Sequence, residues 1–166
     1  MIFKLFKDKI RSSIYSSRTN ISNNLDKNIE KKLLSKKIDL KYHLKSFGNK
    51  NQNQKFYIIQ RKVGGGMFSN LNYVLHHIKI AEDLGCIPII DMKNFPTKYN
   101  VKNKIDNTYN AWEYYFEPLN NYKLKDIYKS KFVIICDSNT KKIKKFDSFE
   151  NLTFEHYKIF KKYIKI

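Results

Sequence analysis

The stretch from Lys55 to Asp91 constrains the fold most. Phe56-Tyr57-Ile58-Ile59 is a short apolar run of aromatic and β-branched residues, the signature of a buried strand. Gly64-Gly65-Gly66 follows. Leu71, Val74, Leu75, Ile78 and Ala81 then recur at helical spacing, with Ser69 placed to cap the helix and Gly85 placed to close it. Ile87-Pro88-Ile89-Ile90 is a second apolar run that ends at Asp91. Strand, glycine turn, helix and strand in that order form a βαβ unit. Strands joined in this way pair in parallel through a right-handed crossover.

The flanks are weaker. Residues 92–109 read as a polar loop. Asn110 to Glu117 reads as a short helix, with Asn110 as cap, Glu113 in the capping-box position and Pro118 as the stop. Leu124, Ile127 and Tyr128 suggest another short helix, and Phe132–Cys136 a third strand. Residues 141–150 read as a basic loop. Phe154, Tyr157, Ile159, Phe160 and Ile164 pattern a helix that runs to the chain end, so the pattern predicts a C-terminus cut inside a helix. Upstream, residues 1–11 alternate apolar and basic, as in a surface helix or one lying on anionic lipid. Residues 12–28 predict a poorly ordered Ser/Asn loop, residues 29–46 a second basic helix, and Gly48–Gln54 a polar break. The expectation is an α/β domain over 55–166, with a Rossmann-like parallel sheet of at least three strands. A basic extension, 1–54, precedes it, partly helical or flexible.

Composition narrows the partners. With 166 residues and 42% apolar content the chain can bury a core of its own and is not a disordered protein. No apolar run is long enough to span a bilayer, and the opening residues lack a secretory pattern. Two cysteines, Cys86 and Cys136, sit in or beside strand-like runs and read as buried, reduced thiols. Four histidines and two cysteines are scattered, so no metal is expected. The net charge of +18 suggests nucleic acid. Against that, arginine occurs only at Arg11, Arg18 and Arg61, and arginine supplies the bidentate contacts to bases. The lysines are spread along the chain and travel with Asn and Ile, as an AT-rich coding bias would produce. Drift is the simplest account of the charge. An anionic partner such as a nucleotide or a lipid surface comes next, and nucleic acid last.

Three glycines before a helix let backbone N–H groups face outward beside the positive end of the helix dipole, a setting for phosphate. As a dinucleotide fingerprint the loop is a near miss, with Ser69 where Gly or Ala belongs and Asp91 too distant. As a P-loop it fails, because no Lys-Ser/Thr follows. A tight turn without a ligand is the competing reading. Beyond the second strand, Asp91, Asn94, Trp112, Glu113 and Glu117 are the residue types of a sugar site: carboxylates and amides for hydroxyls, an aromatic face for the ring.

GGGMFSNLNYVLHHIKIAEDLG, IPIIDMKNFPTKYN and NAWEYYFEP, in this order, resemble the N-terminal half of bacterial fucosyltransferase-like glycosyltransferases of the GT-B type. These are relatives of the nodulation-type α-1,6-fucosyltransferases and protein O-fucosyltransferases. The resemblance covers about residues 55 to 136. It implies one of two facing Rossmann-like lobes and no obligatory metal or other cofactor. It further implies inverting transfer from GDP-fucose or a similar nucleotide sugar to a surface glycan in polysaccharide biosynthesis. Gly64, Gly65, Gly66 and Asn70 map onto the family's donor loop, with Ser69 beside it. The family's second-lobe His/Arg clamp lies outside these residues, and the pattern itself places no cation to hold a departing diphosphate. Asp91 and Glu113 are the candidates for the base, and Trp112 for a sugar platform. Their bland alternatives are a strand-end turn, a capping box and a core aromatic. His76 and His77 read as surface or packing residues. The expected location is cytoplasmic, with a peripheral contact to anionic membrane. The rival functions are a non-catalytic α/β binding module and a basic nucleic-acid-binding domain.

Overall fold

The computed structural model describes residues 23–36, 40, 42–61, 65–136 and 154–164. It is a mixed α/β fold. Its elements are α1 (Asn23–Ser35), β1 (Tyr42–Lys45), β2 (Lys50–Ile59), α2 (Met67–Leu84), β3 (Ile87–Ile90), a 3₁₀ turn (Ala111–Tyr114), α3 (Leu124–Ile127), β4 (Ser130–Cys136) and α4 (Phe154–Tyr163). The sheet order is β1-β4-β2-β3. β2 pairs in parallel with both β3 and β4, while β1 pairs antiparallel with β4. The expected βαβ unit is therefore present, with Phe56 opposite Ile87 and Ile59 opposite Ile90. The arrangement is of generic Rossmann-like type.

Alternation along the strands divides the core into two. Tyr57, Ile59, Ile134 and Cys136 face a larger cluster with Ile29 and Leu33 of α1, Val74, Ile78 and Ala81 of α2, and Ile159 of α4. Phe56, Ile58, Val133 and Ile135 face the other side, with Phe95 and Ile127. Covered by α1 and α4 as well as by the sheet, α2 is buried around most of its girth, His76 and His77 included. It closes as its sequence predicts. Gly85 takes φ 69°, with Gly85 N–H bonded to Glu82 O and Cys86 N–H to Ala81 O. A left-handed residue there is cheap only for glycine.

Several expectations need correction. The boundary placed between 54 and 55 falls inside β2, and α1 and β1 pack onto the same sheet and core as the rest. The polar break at Gly48–Gln54 contains the first residues of β2, which are mostly exposed and so lack an apolar signature. The register shifts between Lys50 and Lys55, where Asn51 adopts φ 49° and donates to Ser130 Oγ at 3.0 Å. Residues 23–28, expected as loop, open α1, and the helix expected over 29–46 stops at Ser35. Tyr42 of β1 donates to Asp26 of α1 at 2.6 Å and ties the two together. The sheet is mixed, not purely parallel. The expectations for 1–11, 12–22, Gly64 and 141–150 lie outside the described residues.

Pro88 sits on β3, an edge strand, where its missing N–H costs no ladder bond. The exposed edge is closed by side chains. Asn110 accepts from Met92 N–H at 3.0 Å and donates to Ile90 O at 2.9 Å, as a neighbouring strand would. Asn120 donates to Pro88 O at 2.8 Å.

Candidate functional site

The corner between β2 and α2 lies at the carboxyl end of the parallel strands, where open α/β sheets bind ligands. Past the last ladder pair, Gln60 stays buried and donates from Nε2 to Cys136 O at 2.5 Å, which ties β2 to β4. Arg61 is next. Its Nε donates to Asn70 Oδ1 at 3.2 Å and its Nη2 to Ser69 Oγ at 3.0 Å, and the guanidinium lies 4.4 Å from the Tyr73 ring centroid. Three contacts fix the plane of this cation over the first turn of α2.

The two described glycines lie against it. Gly65 takes φ 83°, and a Cβ there would stand 3.3 Å from Arg61 Nη2 and 3.2 Å from Ser69 Oγ. Gly66 is the N-cap, at φ −77° and ψ 174°, with no side-chain cap. A Cβ on Gly66 would meet no atom within 4 Å. The opening N–H groups of a helix have no intrahelical partner. The corner thus combines a fixed guanidinium, a hydroxyl and helix-end amides, the donor set that receives an oxyanion.

Of the residues named from sequence, Gly65, Gly66, Ser69 and Asn70 meet here. Ser69 is not the helix cap: it lies in the first turn and takes the Arg61 hydrogen bond. Asn70 is buried and positions the guanidinium. Arg61 was missed. Its signal was an arginine two residues past a buried strand in a chain whose other bases are almost all lysine.

Asp91 is fully buried at the end of β3. Lys93 N–H and Asn94 N–H donate to Oδ1 at 3.1 and 2.8 Å, while Asn94 Nδ2 and Tyr128 Oη donate to Oδ2 at 2.8 and 2.6 Å. Burial pushes its carboxyl above the usual range, and these hydrogen bonds pull the other way. The carboxylate shapes the turn and has no face turned to solvent, so the catalytic role expected of it gives way to a structural one.

Trp112 and Glu113 lie elsewhere, along an open groove of about 520 Å³ beside the β3 edge. None of Arg61, Gly65, Gly66, Ser69 and Asn70 lines it. Trp112 is buried, stacks on Phe116 at 4.3 Å and donates from Nε1 to Glu117 O, so its ring is core and not a sugar platform. Glu113 accepts from Thr108 Oγ1 at 2.5 Å and from Asn110 Nδ2 at 2.8 Å. The capping box is replaced by this triad, because Asn110's amide is spent on the β3 edge.

Behind the corner, His77 is fully buried, 2.7 Å from the Tyr57 hydroxyl and 4.1 Å from the Tyr73 ring. Burial, with help from His76 and Arg61, pulls its pKa down to about 3. His76 is buried too, so neither histidine is a surface residue. Neither cysteine is in a disulfide, both are buried, and burial pushes the Cys86 thiol up to about 11.

Among the described residues, no group of three or more His, Cys, Asp or Glu could hold a metal ion. No described helix is long and apolar enough to cross a membrane. The cytoplasmic, membrane-peripheral location expected from sequence is withdrawn: the residues proposed to touch lipid lie outside those described, and no described element carries the claim.

No family model, no curated protein and no solved structure matches the chain. The expected family identity, a fucosyltransferase-like glycosyltransferase of GT-B type, is accordingly corrected to the coarser description that the sheet itself supports, an α/β domain of generic Rossmann-like type.

Proposed function

We propose that the β2–α2 corner binds the phosphates of a nucleotide sugar, and that the domain serves transfer of that sugar to a glycan acceptor. The observation that carries the reading is the Arg61 guanidinium, held over Tyr73 by Ser69 and Asn70 beside Gly65 and Gly66. A planar cation at a helix N-terminus suits a diphosphate, and its worth grows as negative charge gathers on the leaving group. The sugar and the acceptor rest on the resemblance of the 55–136 stretch alone. The acceptor's base is not among the described candidates at this corner.

That last point favours a second reading, a nucleotide-binding module without catalysis. Asp91 is buried and fully engaged, and Glu113 does not line the corner. One experiment addresses both. GDP and GDP-fucose are titrated calorimetrically into the full chain and into Arg61→Ala, and donor hydrolysis or transfer is followed in parallel. The expected result is saturable binding of both nucleotides, weakened on the order of 10–100-fold in Arg61→Ala, as loss of charge-assisted hydrogen bonds predicts. Binding without turnover selects the module. No binding by the intact chain, or equal binding by the variant, removes nucleotide recognition from this corner.

A further inference from the structure

A second cavity, of about 270 Å³, opens at the opposite end of the sheet, beneath α1. Its walls are Leu25 and Ile29 of α1, Leu44 of β1, Leu84, and Phe132 and Ile134 of β4. Asn28, Lys31, Lys32, Lys55 and Cys86 also line it, and no carboxylate is among the described lining residues. We propose that this groove binds a single-chain anionic amphiphile, an alkyl carboxylate of fatty-acid type, with its chain against the apolar wall and its head among the lysines.

Two features point to that chemistry. The first is the division of the lining: Ile29, Leu84 and Ile134 are buried, whereas Lys31, Lys32 and Lys55 are exposed. An apolar floor under a cationic rim suits a ligand with one apolar and one anionic end. The second is the field inside. Lys32 is drawn to the C-terminus of α2, where its Nζ lies 3.4 Å from Leu84 O. At the cavity wall, Lys55 and Lys32 both favour the thiolate of Cys86, against the larger effect of burial. Positive potential therefore reaches the apolar floor. Charge also argues against two other occupants. The chain's own apolar segment, Ile2 to Ile10, carries Lys4, Lys7 and Lys9 against Asp8 alone, and a second copy brings a net charge of +18. The site is independent of the nucleotide reading.

The test uses the full chain with methyl-labelled Ile and Leu. Decanoate, kept below its micelle concentration, is titrated while the Ile29, Leu44 and Leu84 methyl signals are followed. The expected result is saturable shifts of those methyls and of the other groove-lining ones, Leu25 and Ile134, with Cys86 labelling by a thiol reagent slowed and Cys136 labelling unchanged. Decanol and decyltrimethylammonium should bind at least about tenfold more weakly, since a charge-assisted contact is worth that much. Lys31→Glu with Lys55→Glu should lower decanoate affinity by a similar factor at an unchanged melting temperature. If that variant unfolds, the comparison of head groups on the unmodified chain still decides. Equal binding of the three amphiphiles, no saturable shift, or shifts centred on the β2–α2 corner would each overturn the proposal. Shifts of the same methyls with protein concentration alone would assign the groove to a second copy instead.

Discussion

At Gly66, fold and function pull in opposite directions. The residue caps α2 at φ −77° and ψ 174°, a conformation open to any amino acid, and a Cβ there meets nothing within 4 Å. Serine at an N-cap accepts from the second or third N–H of the helix, and it also restrains the unfolded chain more than glycine does. Gly66→Ser should therefore stabilise the protein by about 0.5–1 kcal/mol in urea unfolding. The same hydroxyl takes up N–H groups that an oxyanion would use, so GDP affinity should fall. A variant that is more stable and binds GDP unchanged would place the nucleotide elsewhere. Gly65 behaves differently. Its φ of 83° and the 3.2 Å approach to Ser69 Oγ mean that Gly65→Ala should cost roughly 1–3 kcal/mol, whatever it does to binding. The run of three glycines was visible in the sequence. Which one turns the chain and which lies open was not, because that depends on where the Arg61 side chain lands.

Among the elements, the β3 edge depends most on one side chain. Asn110 supplies both a donor to Ile90 O and an acceptor for Met92 N–H, and it also donates to Glu113. Asn110→Ala should cost on the order of 2–3 kcal/mol, since buried backbone groups lose their partner. Asn110→Asp should cost more, because a carboxylate would face Ile90 O and the Glu113 carboxylate at once. Hydrogen exchange at the Met92 amide reads the effect directly, and protection that survives both substitutions would refute the assignment. The sequence pattern showed Asn110 and Glu113 three residues apart and suggested a capping box. A local motif and a long-range edge contact share that spacing, and only the position of β3 separates them. The parallel core of the sheet was legible because Phe56–Ile59, Ile87–Ile90 and Phe132–Cys136 are buried on both faces and read as continuous apolar runs. β1 and the start of β2 were not, because Tyr42–Lys45 and Lys50–Lys55 lie at margins where burial is partial. α1 was missed in part for a similar reason: only Ile29 and Leu33 of its described side chains are buried, Leu25 and Asp26 are half-buried, and the rest is exposed and mostly polar or charged.

On the scale of the whole molecule, the fold keeps a neutral histidine in its larger core, and this couples stability to pH. His77 has a pKa of about 3 in the folded chain and an ordinary value near 6.5 in the unfolded one. Between those values the unfolded state binds the extra proton, so stability is full above about pH 6.5 and is lost as pH falls toward 3. From pH 7 to pH 5 this one group should remove about 2 kcal/mol. Glu82 and Asp126 also weaken the fold in acid, but their carboxyls are held below the ordinary carboxylate range and act at lower pH. Asp91 acts with the opposite sign. Its carboxyl is raised by burial, so its contribution is greatest in acid and declines as pH rises through its folded value. The comparison that isolates His77 is with His77→Gln, which keeps a hydrogen-bonding group for Tyr57, carries no titratable proton and leaves Asp91 in place. Urea unfolding midpoints at pH 7 and pH 5 should separate strongly in the parent chain and much less in the variant. Equal acid sensitivity in the two would mean that His77 is protonated inside the fold. The contacts with Tyr57 and with the tilted ring of Tyr73, which backs Arg61, would then belong to an imidazolium, and the positive charge behind the β2–α2 corner would be greater than the neutral ring implies.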